Sequence, residues 1–274
     1  MKLLLLFHPV LLFLIWTGNS NAQDVFQPSA RHQALGAIYT PLSDGWSVFG
    51  NQAGLAEIGH PEFGGSFQNR FLISELSSVA GFLIIPVQSN VFALSVYQFG
   101  QVPFRHEKFG FAYARTVFSK LKVGFQFNYY RIFLSEDNRS AGTAGLELGL
   151  QYVLNSKLAA GIHVVNPYQT EVKLYSGKFS YSSFISLGMV YQVSDLLALM
   201  SELENDFSDQ LRVKAGMEYR VLQNLCLRLG TSGKPRQLSA GFGFHIKRLT
   251  IDLASKYDQY LGSSPAVSFQ YQLQ

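Results

Sequence analysis

The sequence has little charge, one cysteine and, beyond its N-terminus, no long hydrophobic run. Only 15% of its 274 residues are charged, whereas about a quarter are charged in soluble domains. With Cys226 as the single cysteine, no disulfide within the chain is possible, and an inert small side chain is its expected role. No later stretch matches the roughly 20 apolar residues of a membrane-spanning helix. The apolar content must therefore be distributed in another way.

The N-terminal segment differs from the rest. Lys2 precedes an apolar run over residues 3–16, and small and polar residues follow as far as Ala22. This arrangement predicts a secretory signal peptide over residues 1–22, with an uncleaved membrane anchor as the alternative. Removing it lowers the formal charge from +4 to +3, which is too small to predict a nucleic-acid partner.

From about residue 61 onward the sequence alternates apolar residues with small or polar ones. Within 211–221 every odd position is apolar and every even position is charged or glycine. Period two is typical of strands, and no window sustains helical spacing apart from a short turn near residues 46–51. We predict fourteen strands, at residues 62–71, 79–87, 90–99, 109–117, 121–132, 143–154, 157–165, 179–193, 196–203, 211–221, 225–231, 237–246, 249–257 and 265–273.

The connections between these strands fall into two classes. The turns after even-numbered strands are tight, at residues 88–89, 119–120, 155–156, 194–195, 222–224 and 247–248. Those after odd-numbered strands are longer, as at 133–142, 166–178 and 258–264. Short turns at one end and long loops at the other are typical of a transmembrane barrel, with both chain termini in the periplasm. Aromatic residues within 99–109 and 166–179 suggest loops that could capture apolar molecules.

The outward face of the predicted strands carries aromatic residues at one height. An aromatic side chain lies three or four residues before successive tight turns, where a membrane–water boundary favours an apolar ring with a polar tip. The predicted aromatic girdle comprises Tyr152, Tyr191, Tyr219, Phe244 and Tyr271.

The inward face combines small residues with charges of both signs. Such charges are tolerable only in water or when paired across a lumen. The small inward residues include Gly110, Ala112, Ala114, Gly145, Gly149, Gly161, Gly241 and Gly243. The predicted lumen charges are Lys122, Glu147, Arg212, Lys214, Glu218, Arg220, Arg228, Asp252 and Lys256. We expect them to brace the barrel, with a solute or ion pathway as the alternative.

Backbone groups in lipid need internal partners, so an open sheet edge is excluded and the sheet must close. The sequence therefore predicts an all-β fold, a closed antiparallel transmembrane β-barrel of about fourteen strands over residues 61–274. A secreted β-sandwich is the competing fold. It does not explain the small inward residues or the shared height of the aromatic ones.

Residues 23–60 show no period-two pattern and are predicted to form an irregular hatch or plug segment. They contain Ala34-Leu35-Gly36, then Asp44 and Trp46, then Asn51-Gln52-Ala53-Gly54-Leu55-Ala56. Asn51 is suited to a turn, and Gly54 to a positive φ angle. We call Asp44, Trp46, Asn51, Ala53, Gly54 and Leu55 the hatch motif.

This segment resembles the start of the PorV/PorQ family of Bacteroidetes outer-membrane proteins, which is similar to FadL-type long-chain fatty-acid transporters. Gln52 stands where that family usually has proline. The resemblance covers about 25 residues and implies a fourteen-stranded barrel with a hatch folded into the lumen. It also implies a bacterial outer-membrane location and contact with outer-membrane lipid.

Two non-enzymatic functions follow from the resemblance. The first is passage of hydrophobic or small solutes across the outer membrane. The alternative is a structural or docking role in type IX secretion, with secretion components as partners. In both, the hatch motif either holds the segment in place or gates the lumen.

An outer-membrane hydrolase is the enzymatic hypothesis. His163 and His245 face inward in the predicted register, but no serine or acid is marked as their partner. No G-x-S-x-G elbow is present. His32, His60 and His106 lack metal-ligand spacing. We therefore expect no enzymatic activity, no catalytic residue, no metal and no cofactor.

Overall fold

A computed structural model shows a closed antiparallel β-barrel of fourteen strands. It describes residues 26–134, 139–168, 170–174, 177–206, 210–233 and 236–273. The predicted signal peptide, residues 1–22, and hatch residues 23–25 lie outside this part of the chain. Within it, no helix is both long and apolar enough to span a membrane.

The strands follow the period-two segments of the sequence. The barrel strands are β1 (Glu62–Asn69), β2 (Ser77–Val87), β3 (Asn90–Phe99), β4 (Phe104–Phe118), β5 (Leu121–Leu134), β6 (Arg139–Asn155), β7 (Leu158–Val165), β10 (Phe184–Gln192), β11 (Leu197–Asp206), β12 (Gln210–Leu222), β13 (Leu225–Ser232), β14 (Gln237–Ile246), β15 (Leu249–Asp258) and β16 (Gly262–Gln272). A separate hairpin is formed by β8 (Glu171–Leu174) and β9 (Gly177–Ser180). Neighbours in the barrel pair in sequence order, β7 pairs with β10, and β16 closes the cylinder against β1.

Fourteen strands and closure are confirmed, but the expected contrast in connection length is smaller than predicted. β4 begins at Phe104, so much of the expected loop at 99–109 is strand. Of the expected loops at 133–142 and 258–264, residues 133–134, 139–142, 258 and 262–264 belong to strands. The strands continue to pair beyond the hydrocarbon region, where lipid no longer requires every second residue to be apolar. The apolar alternation therefore underestimates the length of the strands.

The longest connection contains a hairpin that the prediction missed. The predicted strand at 179–193 begins at Phe184, and residues 179–180 belong to β9. Two four-residue strands are too short to establish a period-two pattern. The side chains of Val172 and Tyr181 are buried here against Tyr130 and Ile132 of β5. We call residues 170–174 and 177–183 the mouth hairpin, because they lie at the end of the barrel opposite the short turns.

The two faces of the wall differ as alternation requires. On β12, Leu211 and Val213 are 48% and 55% exposed on the outside, whereas Lys214 is 4% exposed on the inside. A belt of outward apolar side chains around the closed cylinder is the surface that hydrocarbon requires. The fold is therefore a transmembrane β-barrel.

Residues 26–56 of the hatch lie inside this cylinder, and Glu57, Gly59 and His60 are exposed at its end. The hatch contains the helix α1 (Ala30–Ala34) and two 3₁₀ turns, Gly45–Phe49 and Gln52–Glu57. Ser29 caps α1 by accepting a hydrogen bond from the His32 backbone N–H, and Asp44 begins the first 3₁₀ turn. Hatch backbone groups form hydrogen bonds within these local turns and with side chains of the barrel wall, as irregular chain at membrane depth requires.

The inward glycines give the hatch backbone its room. A Cβ atom on Gly124 of β5 would lie 2.5 Å from the carbonyl carbon of Gln52, and one on Gly216 of β12 would lie 2.7 Å from Leu35 O. Equivalent positions on other strands meet the hatch in the same way. This glycine track comprises Gly124, Gly149, Gly161, Gly188, Gly216, Gly230 and Gly241.

Candidate functional site

A pocket remains between the hatch and the mouth hairpin. The hatch forms its floor, and inward side chains of β4 to β11 form its walls. Its lining residues are Phe26, Gln27, Tyr39, Thr40, Phe49, Gly50, Lys108, Tyr130, Glu147, His163, Val165, Asn166, Tyr181, Ser182, Phe184, Ser186, Glu202 and Glu204. The pocket therefore combines aromatic rings with a few buried polar groups, which is the composition of small-molecule sites.

Aromatic rings enclose one side of the pocket. Tyr130 of β5 stacks on Tyr181 of the mouth hairpin with ring centroids 4.2 Å apart. Phe26 of the hatch stacks on Tyr130 at 5.5 Å and contacts His106 edge-on at 4.9 Å. His106 also lies 2.7 Å from the Tyr181 hydroxyl through its Nε2. These contacts build a ring cage from the wall, the hairpin and the first described residue of the hatch.

Glu147 organises the polar side of the pocket. One of its oxygens accepts a hydrogen bond from Lys108 Nζ at 2.6 Å, and the other lies 3.1 Å from His163 Nε2. Gln52 of the hatch donates to the same carboxylate at 2.8 Å. Gln52 is the residue at which this chain departs from the PorV/PorQ pattern, and here it joins the hatch to the wall.

A second buried cluster fixes the middle of the hatch. Glu202 accepts hydrogen bonds from the Tyr39 and Thr40 backbone N–H groups at 2.9 and 2.8 Å. Lys214 donates to Glu202 and Glu204 at 2.7 and 2.8 Å, and to Ala37 O. Charges on β11 and β12 therefore neutralise one another while they hold the hatch backbone.

A third cluster anchors α1. Arg31 donates to Asp44 at 2.6 Å and to both oxygens of Glu218 on β12, each at 3.0 Å. His32 Nε2 lies 3.0 Å from Asp44. Burial alone would raise the pKa of the Asp44 carboxyl, but the neighbouring His32 and Arg31 hold it well below its usual range. Asp44 is therefore a carboxylate at neutral pH, and the ion pairs of α1 depend on it.

The hatch motif lies in the interior of the molecule. Asn51 Nδ2 lies within hydrogen-bond distance of Thr40 O, Leu150 O and Ile162 O, and its Oδ1 accepts from the Ala53 N–H. Trp46 is fully buried and packs edge-on against Phe82 of β2, with ring centroids 4.9 Å apart. Ala53 and Leu55 are also fully buried.

Gly54 requires a correction. Its φ angle is not positive, because among the described glycines only Gly36, Gly100 and Gly262 have positive φ. Instead, a Cβ atom on Gly54 would lie 2.5 Å from Leu42 O and 2.6 Å from Ser47 Oγ. Close approach of two hatch turns, rather than backbone conformation, accounts for glycine at this position.

The remaining predicted lumen charges have different surroundings. Lys122 pairs with Glu57 of the hatch, Arg212 with Glu204, and Arg228 with Glu218 and Asp252. By contrast, Arg220 is exposed at the short-turn end of β12, and Lys256 is half-buried. Most of these side chains therefore brace the wall or hold the hatch, while the pocket contains only Glu147 from the predicted set.

The predicted girdle positions follow the tilt of the barrel. Tyr152, Tyr191, Tyr219 and Phe244 are 39–46% exposed on the outer face, and Tyr271 is half-buried beside Phe63. Tyr152 on β6 pairs with Ala160 on β7, and Ala160 pairs with Met189 on β10. Tyr191 lies two residues further along β10. The same two-residue step recurs at every second strand as far as Tyr271. One residue per strand is the slip that strand tilt produces at constant height.

The inward histidines have partners that the prediction lacked. His163 contacts Glu147, and His245 lies 3.0 Å from Thr250 Oγ1 and 3.8 Å from the buried Cys226 sulfur. Across the described ranges, no group of three or more His, Cys, Asp or Glu side chains is arranged to hold a metal ion.

Several pocket residues were not selected from the sequence. Phe26, Lys108, Tyr130, Tyr181 and Ser186 come from five separate segments that only the folded chain brings together. The aromatic content of segment 166–179 pointed toward the mouth hairpin, but Tyr181 lies just beyond it. For Ser186, a lone inward serine in a strand, the sequence offers no signal.

No protein-family model matches the chain, and no curated protein matches it at a significant level. Solved structures do match. The toluene transporter TbuX of Ralstonia pickettii has a TM-score of 0.72 at 12% identity, covering 92% of this chain and 100% of that one. The toluene transporter TodX of Pseudomonas putida gives 0.71 at 13%, covering 92% and 99%. A FadL homologue of Pseudomonas aeruginosa gives 0.62 at 12%, covering 92% and 98%. At such low identity, these similarities show the fold.

Proposed function

We propose that this chain forms a gated passage for small hydrophobic molecules across the bacterial outer membrane and is not an enzyme. The observation that carries the proposal is the lumen pocket, in which a ring cage of Phe26, Tyr130 and Tyr181 lies above a hatch that fills the lumen below it. Apolar molecules gain free energy by leaving water for such a site. The solved structures of the same fold include toluene transporters and a FadL homologue, which supports the proposed passage of hydrophobic molecules.

The barrel suggests a direction of passage. In the proposal, the short-turn end and both chain termini face the periplasm, and the mouth hairpin faces the cell exterior. The aromatic girdle then marks the periplasmic boundary of the outer membrane. Molecules enter the ring cage beside the mouth hairpin. They proceed when the hatch changes its contacts, since the seated hatch lies between the pocket and the short-turn end.

The test is uptake of radiolabelled toluene by cells that express the full chain, compared with cells carrying an empty vector. We expect saturable uptake with the chain and several-fold less with Tyr181→Ala, because this substitution removes one wall of the ring cage. The matched control is Tyr191→Ala, which removes a tyrosine from the outer wall. Uptake no faster than with the empty vector would reject the proposal.

The second candidate, docking in type IX secretion, rests on the PorV/PorQ resemblance of the hatch motif. It predicts co-purification of the chain with secretion components and no toluene uptake. The same two cultures therefore separate the candidates, because the transport proposal expects uptake in cells that lack any such components.

A further inference from the structure

A buried hydroxyl group on the pocket wall, that of Ser186, has no hydrogen-bond partner among the described residues. Ser186 of β10 is 1% exposed and lines the pocket, yet its Oγ is unpaired. Buried polar groups are almost always hydrogen-bonded. A hydroxyl both donates and accepts, so Ser186 is equipped for a ligand group that can do either.

His163 stands beside this hydroxyl. It lies directly opposite Ser186 on the neighbouring strand β7, and both side chains face the pocket. Among the described residues, the His163 ring makes a hydrogen-bond contact only through Nε2, and its partner is Glu147. Phe184, two residues from Ser186 on the same strand, packs edge-on against His163 with ring centroids 6.2 Å apart. A polar pair and an aromatic ring therefore border the same space.

The charges around the pocket are already paired. Three carboxylates line it, those of Glu147, Glu202 and Glu204, whereas Lys108 is the one lysine or arginine among the described lining residues. Lys108 is bound to Glu147, and Lys214, which also faces the lumen, is shared by the other two carboxylates. A ligand carboxylate would add a buried negative charge without a free cation, which is strongly unfavourable.

We infer that the pocket selects uncharged aromatic molecules that carry one hydroxyl or amino group, with the ring against Phe184 and the polar group on Ser186 and His163. Simple hydrocarbons would pack against the same rings but leave the Ser186 hydroxyl unpaired. Carboxylates are excluded by the lining charges. This inference rests on the proposed function and narrows its substrate class.

The test compares three ligands of similar size, phenol, toluene and benzoate, by titration calorimetry on the purified full chain in detergent. We expect phenol to bind about tenfold more tightly than toluene, as one added hydrogen bond in a buried site provides, and benzoate to show no binding. Ser186→Ala should reduce the preference for phenol to near unity and leave toluene affinity unchanged.

Ser95→Ala is the matched control, because Ser95 is also a buried, unpaired inward hydroxyl but does not line the pocket. It should leave all three affinities unchanged. Retained heat-modifiable mobility on gels will show that each variant folds. Equal binding of phenol and toluene, or a phenol preference that survives Ser186→Ala, overturns the inference while the proposed function stands. Failure of toluene uptake in cells rejects the proposed function itself, and preferential binding of benzoate overturns the inference directly.

Discussion

The hatch meets two unlike walls inside one barrel. On one side Trp46, Phe49 and Leu55 pack into an apolar cluster with inward side chains of β2, β3 and β4. On the other side, from β5 round to β14, the wall presents the glycine track, and Glu147, Glu202 and Glu218 bind hatch groups. Apolar burial stabilises without direction, whereas hydrogen bonds and close backbone contacts fix a position. The comparison indicates that the apolar wall holds the hatch in and the polar wall sets its register.

The largest effect should come from the apolar wall. Trp46→Ala removes a fully buried side chain, and we expect a loss of about 3–5 kcal/mol, the range for such truncations. Urea titration of the chain in lipid vesicles, followed by gel mobility, measures this loss. Trp46→Phe is the control and should recover most of it. A loss below 1 kcal/mol for Trp46→Ala would show that the apolar wall contributes little.

The ion pairs of α1 should contribute less. Arg31→Ala leaves Asp44 and Glu218 without their shared partner. We expect a loss of about 2–3 kcal/mol, below that for a fully buried pair because these groups are partly exposed. Single-channel recordings should show more frequent openings as the hatch loses register. Arg31→Lys is the comparison variant, because it keeps the charge but not the forked geometry. Openings at wild-type frequency in Arg31→Ala would contradict the proposal that the polar wall sets the register of the hatch.

The glycine track offers the sharpest matched pair, because neighbouring residues face opposite ways. Gly216→Val pushes a side chain into Leu35 O and should cost about 2 kcal/mol through overpacking. Ala215→Val adds a similar side chain on the exposed outer face and should be neutral within about 0.5 kcal/mol. The two urea midpoints are compared directly. Equal midpoints would mean that the hatch does not press on this wall.

Acid should have the smallest effect. Asp44 has a lowered pKa in the folded chain, so its stabilising contribution is complete above the unfolded value of 3.8 and is lost only as pH falls below it. We therefore expect Asp44 to contribute no change in single-channel opening frequency between pH 7 and pH 5. Asp44→Asn should raise that frequency across the whole range. A rise between pH 7 and pH 5 in the wild-type chain that Asp44→Asn abolishes would contradict the assignment of an ionised Asp44.

Strand positions were predictable because lipid imposes a rule on every second residue. Leu211, Val213 and Ala215 face outward and Lys214 inward, as their alternation indicates. Gly54 was misassigned to a positive φ angle, because a glycine needed for close approach has the same sequence signature as one needed for backbone conformation. The pairing of Ser186 with His163 could not be foreseen, since it depends on the register between β7 and β10 across a hairpin that the sequence conceals.

The sequence by itself determined a barrel: its alternation and the need to satisfy every backbone group in lipid leave few other solutions. It also placed small and charged residues on the inner face. Only the tertiary structure decided what those residues do, because the inward glycines make room for a hatch that contacts many strands. The pocket is likewise a product of assembly, since its rings and polar groups come from segments far apart in the chain and meet only when the cylinder closes around the hatch.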